Sequence, residues 1–267
     1  GSGWKIQVSA GGIQRLTASA LAAAGVPLGN PNLLQLRFNG APVALEQRGS
    51  GNSLELRFYA PAPGDRWNRT STYWLTLGST PGLRMASRSV APGGAALSGF
   101  AFERGKWQDP QLYDSLLAGP DADHWFSADM RSGPGSPAAV TTAQITPTLP
   151  LVSSTATLTV TGSSYLKSAH TLQATLAATT RTATWSGTGD WAHVLAFPAP
   201  GKIITLRLPT PAQPDGYEID GVAWQLPVSL NLGGRGAAFA GRAGTWRYQL
   251  ANAPAGGALY DVSNPLV

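Results

Sequence analysis

Three histidines, His124, His170 and His193, are the side chains of this chain best suited to moving a proton near neutral pH. They fall in different expected elements, and no Gly-x-Ser-x-Gly turn holds a serine nucleophile beside one of them. The chain has no cysteine, which removes disulfides, thiolate zinc sites and cysteine nucleophiles together. No catalytic residue is assigned, and the chain is expected to carry out no reaction of its own.

The remaining candidates bind rather than react. Asp121, Asp123 and Asp129 cluster around His124, and loop carboxylates of this kind hold calcium in many β-sandwiches. The run lacks the glycine and terminal glutamate of an EF-hand loop. Calcium therefore stands against a plainer reading, acidic turn residues that cap a short element. Asp215, Glu218 and Asp220 form a second acidic group with the same two readings. Of the nine tryptophans, Trp74, Trp185 and Trp224 lie in alternating runs and are expected in the core. Trp107, Trp125 and Trp191 fall near loops, where they could stack on sugar rings or cover the ends of a sandwich. The loop Pro63–Thr70 sets Arg66, Trp67 and Arg69 together, either as a contact for a partner protein or as a solvated turn with arginine stacked on Trp67.

The elements that must position these residues are strands. Hydrophobic residues make up 43% of the 267, charged residues only 12%, and there are 32 glycines and 21 prolines. Globular chains usually carry about 25% charge. Glycine and proline break helices, whereas β-branched residues fit a pleated surface. Strands are expected at Trp4–Val8, Ile13–Thr17, Leu34–Phe38, Pro42–Gln47, Leu54–Tyr59, Thr72–Leu77 and Leu83–Ser89. Asn39-Gly40 forms a hairpin turn, since both residues tolerate positive φ. One short helix, Ala18–Ala24, is capped by Thr17 and stopped by Gly25. Beyond a boundary at residues 90–98 come Gly99–Arg104, a short helix or turn at Gln111–Leu117, and strands recurring from Ala156 to Val262, with Tyr217–Leu230, Ala237–Ala240 and Ala258–Val262 among them. Many short strands between Gly/Pro turns describe a sandwich or jelly roll.

The expected division is a small basic α+β domain, 1–90, followed by a jelly-roll-like β-sandwich, 91–267. The first carries nine Lys/Arg against three acids, +6, and the second ten against eleven, −1. Such asymmetry favours an acidic partner, whether a protein surface or an anionic glycan. Nucleic acid is disfavoured, because no dense Lys/Arg stripe with interleaved aromatics occurs. No apolar run of about 18 residues is present, so no membrane-spanning helix is expected.

Several stretches taken in order resemble a known family. These are Trp4-Lys5-Ile6-Gln7-Val8-Ser9, Gly12-Ile13-Gln14-Arg15-Leu16-Thr17, Arg37-Phe38-Asn39-Gly40, Tyr73-Trp74-Leu75-Thr76-Leu77-Gly78 and Gly82-Leu83-Arg84-Met85. In the second half they are His170 before a strand, Trp185-Ser186-Gly187, Asp220-Gly221-Val222-Ala223-Trp224 and the closing Leu259-Tyr260-Asp261-Val262-Ser263-Asn264-Pro265. They are similar to the region before the catalytic domain in gingipain-like cysteine peptidases of bacteria, and the type IX secretion sortase has a similar front end. The resemblance implies two modules, a small α+β domain and a jelly roll, ahead of a caspase-like domain that supplies the catalytic His and Cys and would begin after Val267. It implies a role in folding, docking or latency, a secreted or cell-surface location, and the downstream peptidase domain or a surface protein as partner. Since enzymes of this type commonly cut after Arg or Lys, Arg66 or Arg69 could occupy a specificity pocket. Two other functions compete: a subunit of an oligomeric surface assembly or filament, joined through open strand edges, and a carbohydrate-binding sandwich, with or without calcium.

Overall fold

A computed structural model describes residues 3–63, 69–89, 96–117 and 124–264. The chain is mainly β and divides into two compact units, Gly1–Ala91 together with Ala258–Val267, and Pro92–Gly257. The last residues thus belong with the first unit.

The first unit has β1 (Gly3–Val8), β2 (Gly12–Thr17), α1 (Ala18–Ala23), β3 (Leu34–Phe38), β4 (Ala41–Val43), β5 (Glu46–Arg48), β6 (Glu55–Ala60) and β7 (Ser71–Leu77). They form two antiparallel sheets, β1-β7-β3-β4 and β2-β6-β5. Alternation decides which face is buried: in β6 Leu56, Phe58 and Ala60 enter the core while Glu55, Arg57 and Tyr59 face outward. Thr17 caps α1 by accepting from the Ala20 amide, and Gly25 ends it at φ 73°. Asn39 and Gly40 both have positive φ, 47° and 81°, which the tight β3–β4 turn requires.

The outer face of β2-β6-β5 is a charged lattice. Arg15 and Arg57 both bond Glu55 and hold its carboxyl down at about 2, chiefly through the Arg15 hydrogen bond. Glu46 pairs with Arg48 at 2.8 Å and accepts from the Tyr260 hydroxyl, which itself accepts from Arg57 Nη1 at 3.2 Å. One tyrosine therefore fastens the C-terminal segment to strands more than 200 residues earlier.

The second unit contains β8 (Leu97–Ser98), β9 (Ala101–Trp107), β10 (Leu112–Tyr113), β11 (Trp125–Phe126), β12 (Ala128–Ser132), β13 (Ala139–Gln144), β14 (Ala156–Ser164), β15 (Ala169–Leu176), β16 (Thr179–Ser186), β17 (Gly189–Phe197), β18 (Ile203–Leu208), β19 (Asp215–Val228) and β20 (Arg247–Tyr248). One sheet runs β12-β19-β14-β17, with β9 also on β19, and the other runs β13-β18-β15-β16. Their inner faces meet in a core that includes Leu158, Val160, Leu172, Leu176, Phe197 and Leu206. This is a β-sandwich.

Some segments differ from expectation. Residues 111–117 make a strand pair, β10 with β11, rather than a helix or turn. Residues 83–89 contribute a single bridge, Leu45 to Arg84, because the Arg84 guanidinium turns inward and donates to the carbonyls of Leu34, Pro31 and Asn32. Around 237–240 only Ala240 makes a bridge, and 258–262 forms no strand, being tied down by a side chain instead. Trp74 is 48% exposed and not core, since Tyr73 and Leu75 on either side of it take the inner face of β7. Trp185 and Trp224 do pack against the sandwich core. No helix among the described residues is long and apolar enough to cross a membrane.

Replacing Tyr260 with Phe keeps the ring and removes both hydrogen bonds. The expected cost is about 1 kcal/mol in urea denaturation. Unchanged stability would show that the hydroxyl does not hold the segment.

Candidate functional site

One end of the sandwich collects most of the chain's ionisable and aromatic side chains, and β19 organises it. Residues Asp215 to Val222 are all buried, on both faces of the strand. The inner face meets the opposite sheet. The outer face is covered by the segment around β11, where the Ser127 amide bonds the Ile219 carbonyl at 2.7 Å and the Ser127 hydroxyl bonds the Asp220 carbonyl at 2.6 Å. A β-bulge lies where β14 meets β19 between Thr161 and Gly162, and it leaves Asp220 as the extra residue. Gly162 is needed there, because a Cβ would strike the Glu218 carbonyl and the Trp191 ring.

On the inner side, His170 of β15 is fully buried beside Asp215 of β19. Nδ1 lies 2.5 Å from Asp215 Oδ1, and Nε2 lies 2.8 Å from the Gly187 carbonyl in the β16–β17 turn. Both partners are acceptors, so the arrangement is filled when both ring nitrogens carry a proton. The second Asp215 oxygen accepts from the Thr171 amide at 3.3 Å. The Trp185 ring tilts against His170, Trp191, His193 and Tyr217, and its Nε1 donates to Ser164 Oγ at 2.9 Å. Tyr217 donates to the Thr171 carbonyl at 2.9 Å, and burial pushes its hydroxyl pKa well up. Burial likewise holds the His193 pKa down. A Ser–His–Asp relay would set a hydroxyl against Nε2 of the histidine. Here a backbone carbonyl occupies that position.

On the outer side, Glu218 sits in register between Asp129 of β12 and Ser163 of β14. Asp129 is occupied, accepting from the Tyr165 hydroxyl at 2.7 Å and pairing with Arg131 at 3.4 Å. Tyr165 lies over Gly216, where a Cβ would strike its ring. Glu218 has no such partners: its Oε2 is buried and unbonded, as is Ser163 Oγ. Burial first, then the charges of Asp114 and Asp129, push its carboxyl up to about 7. Asp220 is satisfied by Gln108 at 2.6 Å and Thr161 at 2.9 Å.

No family model matches the chain, and no curated protein matches its sequence. Solved structures do match. The fold resembles that of PorU from Porphyromonas gingivalis. The dimeric latent PorU superposes with a TM-score of 0.62 at 14% identity, over 86% of this chain and 24% of PorU. This chain thus spans about a quarter of the PorU chain. A cycloalternan-forming enzyme from Listeria monocytogenes (12% identity, 71% of this chain and 17% of that one, TM-score 0.29) and an exo-β-1,3-galactanase from Phanerochaete chrysosporium (8%, 71% and 42%, 0.28) overlay too loosely to carry an argument. With PorU the likeness is one of fold.

The residues singled out from sequence are scattered by comparison. Asp121, Asp123, Arg66 and Trp67 lie outside the described residues, and Arg69 is exposed. Asp129 stands in the Tyr165–Arg131 network. Among the described residues no three His, Asp or Glu side chains are arranged to hold a metal ion. Trp191 packs inward against Trp185, His193 and Tyr217, while Trp107 is half-buried against the core and Trp125 lies 5.1 Å from the Tyr113 ring. His124 directs Nδ1 at the carbonyls of Asp114 and Leu117, each at 3.0 Å. Sequence reasoning missed the His170–Asp215 pair, whose partners are 45 residues apart, and the isolation of Glu218. A glutamate alternating with the tyrosine and isoleucine of one strand is the signal that could have found the second.

A carboxyl raised from 4.5 to about 7 costs nothing below pH 4.5, where it is neutral in folded and unfolded chains alike. The cost of ionising it in place grows from there to pH 7 and stays constant above. Glu218→Gln is therefore expected to stabilise the protein by about 1–3 kcal/mol at pH 8 and not at pH 4.5, as measured by urea denaturation. A gain independent of pH would contradict the assignment.

Proposed function

We propose that this chain is a non-catalytic accessory region of a secreted or surface-exposed gingipain-like peptidase, acting by docking to a protein partner in folding or latency. The observation that carries the proposal is the likeness of fold to latent PorU over 86% of this chain and 24% of that protein. The sequence resemblance set out above leads to the same family and to the same part of it. The absence of cysteine in the chain supports a role without peptide-bond chemistry of its own. So does the state of the histidines: His170 has both nitrogens engaged, His124 caps carbonyls, and His193 is held in an aromatic stack. What remains available is folded surface, and a basic first unit suits an acidic partner surface. In this reading the exposed Arg69, with Arg66 of the same loop, is the candidate to enter a specificity pocket.

The test mixes the purified chain with a gingipain-like catalytic domain from the same genome. A one-to-one complex by size-exclusion chromatography and a lower rate of peptide cleavage are expected, with Arg66→Ala/Arg69→Ala relieving the inhibition if those arginines form the plug. No complex at micromolar concentrations, or turnover of a peptide substrate by the chain unaided, would overturn the proposal.

A further inference from the structure

The exposed face of the β1-β7-β3 sheet differs in kind from every other surface of the first unit. Register places Lys5, Trp74 and Arg37 in one rank across three adjacent strands, all pointing outward. Adjacent strands are about 4.8 Å apart, so the two cations flank the indole at roughly 10 Å from each other. Trp74 is 48% exposed at the centre of the unit's four-stranded sheet. A Cβ on Gly3 would lie 3.7 Å from the Trp74 ring, so the indole leans over a residue with no side chain and its other surface is open to solvent. Around it on the same face stand Gln7, Thr72 and Thr76, side chains that offer amide and hydroxyl groups and no acid.

The charge on this face is also uncompensated. The unit carries nine Lys/Arg against Glu46, Glu55, Asp65 and Asp261, which is +5. Glu46 and Glu55 are engaged on the other sheet by Arg15, Arg48, Arg57 and Tyr260. Among the described residues Lys5 and Arg37 have no carboxylate partner; Arg37 gives one bond to the Gly40 carbonyl at 3.0 Å and keeps its other donors. Neither cation lies over the indole, so the ring surface is not covered by either of them.

We propose that this face, with Trp74 at its centre and Lys5 and Arg37 on either side, binds an anionic polysaccharide. The indole offers its surface to the C–H face of a pyranose ring, Gln7, Thr72 and Thr76 meet hydroxyls, and the two cations take carboxylate or sulfate groups on neighbouring sugars. An acidic protein is the alternative occupant, and the face fits it less well. The centre of a protein interface is apolar around its aromatic anchor, whereas the neighbours of Trp74 on this face are polar, charged or glycine. The site is separate from the docking role proposed above and does not depend on it.

Isothermal titration of the full chain with polygalacturonate at 50 mM salt tests the assignment, with neutral dextran and poly-L-glutamate as comparison ligands. Polygalacturonate is expected to bind and dextran to bind at least tenfold more weakly. Trp74→Ala is expected to weaken binding at least tenfold with the circular dichroism spectrum unchanged, and Lys5→Gln/Arg37→Gln to weaken it and flatten its salt dependence. Failure to bind polygalacturonate, or binding indifferent to Trp74, would overturn the proposal. Equal binding of poly-L-glutamate with the same dependence on Trp74 would also overturn it and assign the face to an acidic polypeptide.

Discussion

A single buried contact, the imidazole of His170 against the carboxylate of Asp215, ties together three parts of the second unit. His170 belongs to one sheet, Asp215 to the other, and the far nitrogen of the ring is held by the carbonyl of Gly187 in the turn between β16 and β17. Burying a charged pair is costly unless every remaining hydrogen-bonding group is satisfied. Here the Thr171 amide and the Gly187 carbonyl do that, and the rings of Trp185 and Tyr217 pack against the imidazole. The aromatic cluster at this end of the sandwich is therefore best understood as the seal over a polar staple. Trp185 reaches Ser164, Tyr217 reaches the Thr171 carbonyl, and each of those bonds also crosses from one sheet to the other.

The same economy governs the first unit, with a different outcome. Glu46 and Glu55 are used to neutralise one sheet and to anchor Tyr260, while Arg84 spends its guanidinium on three carbonyls near the start of β3. What these contacts leave over is positive and lies on the other sheet, where Lys5 and Arg37 frame an exposed indole. The polar groups of this protein thus divide into those consumed by the fold and those left for something outside it. The groups that look most like catalytic ones belong to the first set.

Local physics made much of this legible. Thr17 as helix cap, Asn39-Gly40 as a tight turn and the alternation in β6 are each decided within a few residues, and sequence showed them. Trp74 shows where that reasoning stops. Alternation identified its strand correctly, but which face of a strand is buried depends on what packs against it, and Tyr73 and Leu75 won the core. Segment 111–117 was ambiguous for a similar reason: a two-residue strand exists only because Trp125 and Phe126 lie opposite. The His170–Asp215 pair and the orphaned oxygen of Glu218 were out of reach altogether, because both arise from long-range register. The Tyr260 anchor, set across more than 200 residues, is the extreme case.

The claim that the histidine–aspartate pair is a structural staple is tested most directly by a double-mutant cycle. Stabilities of the parent, His170→Ala, Asp215→Ala and the double variant would be compared by urea denaturation. A coupling energy of about 2 kcal/mol or more is predicted, with the double variant far less damaged than the sum of the single ones. Additive effects within about 0.5 kcal/mol would contradict the account and return His170 to the set of groups free for chemistry.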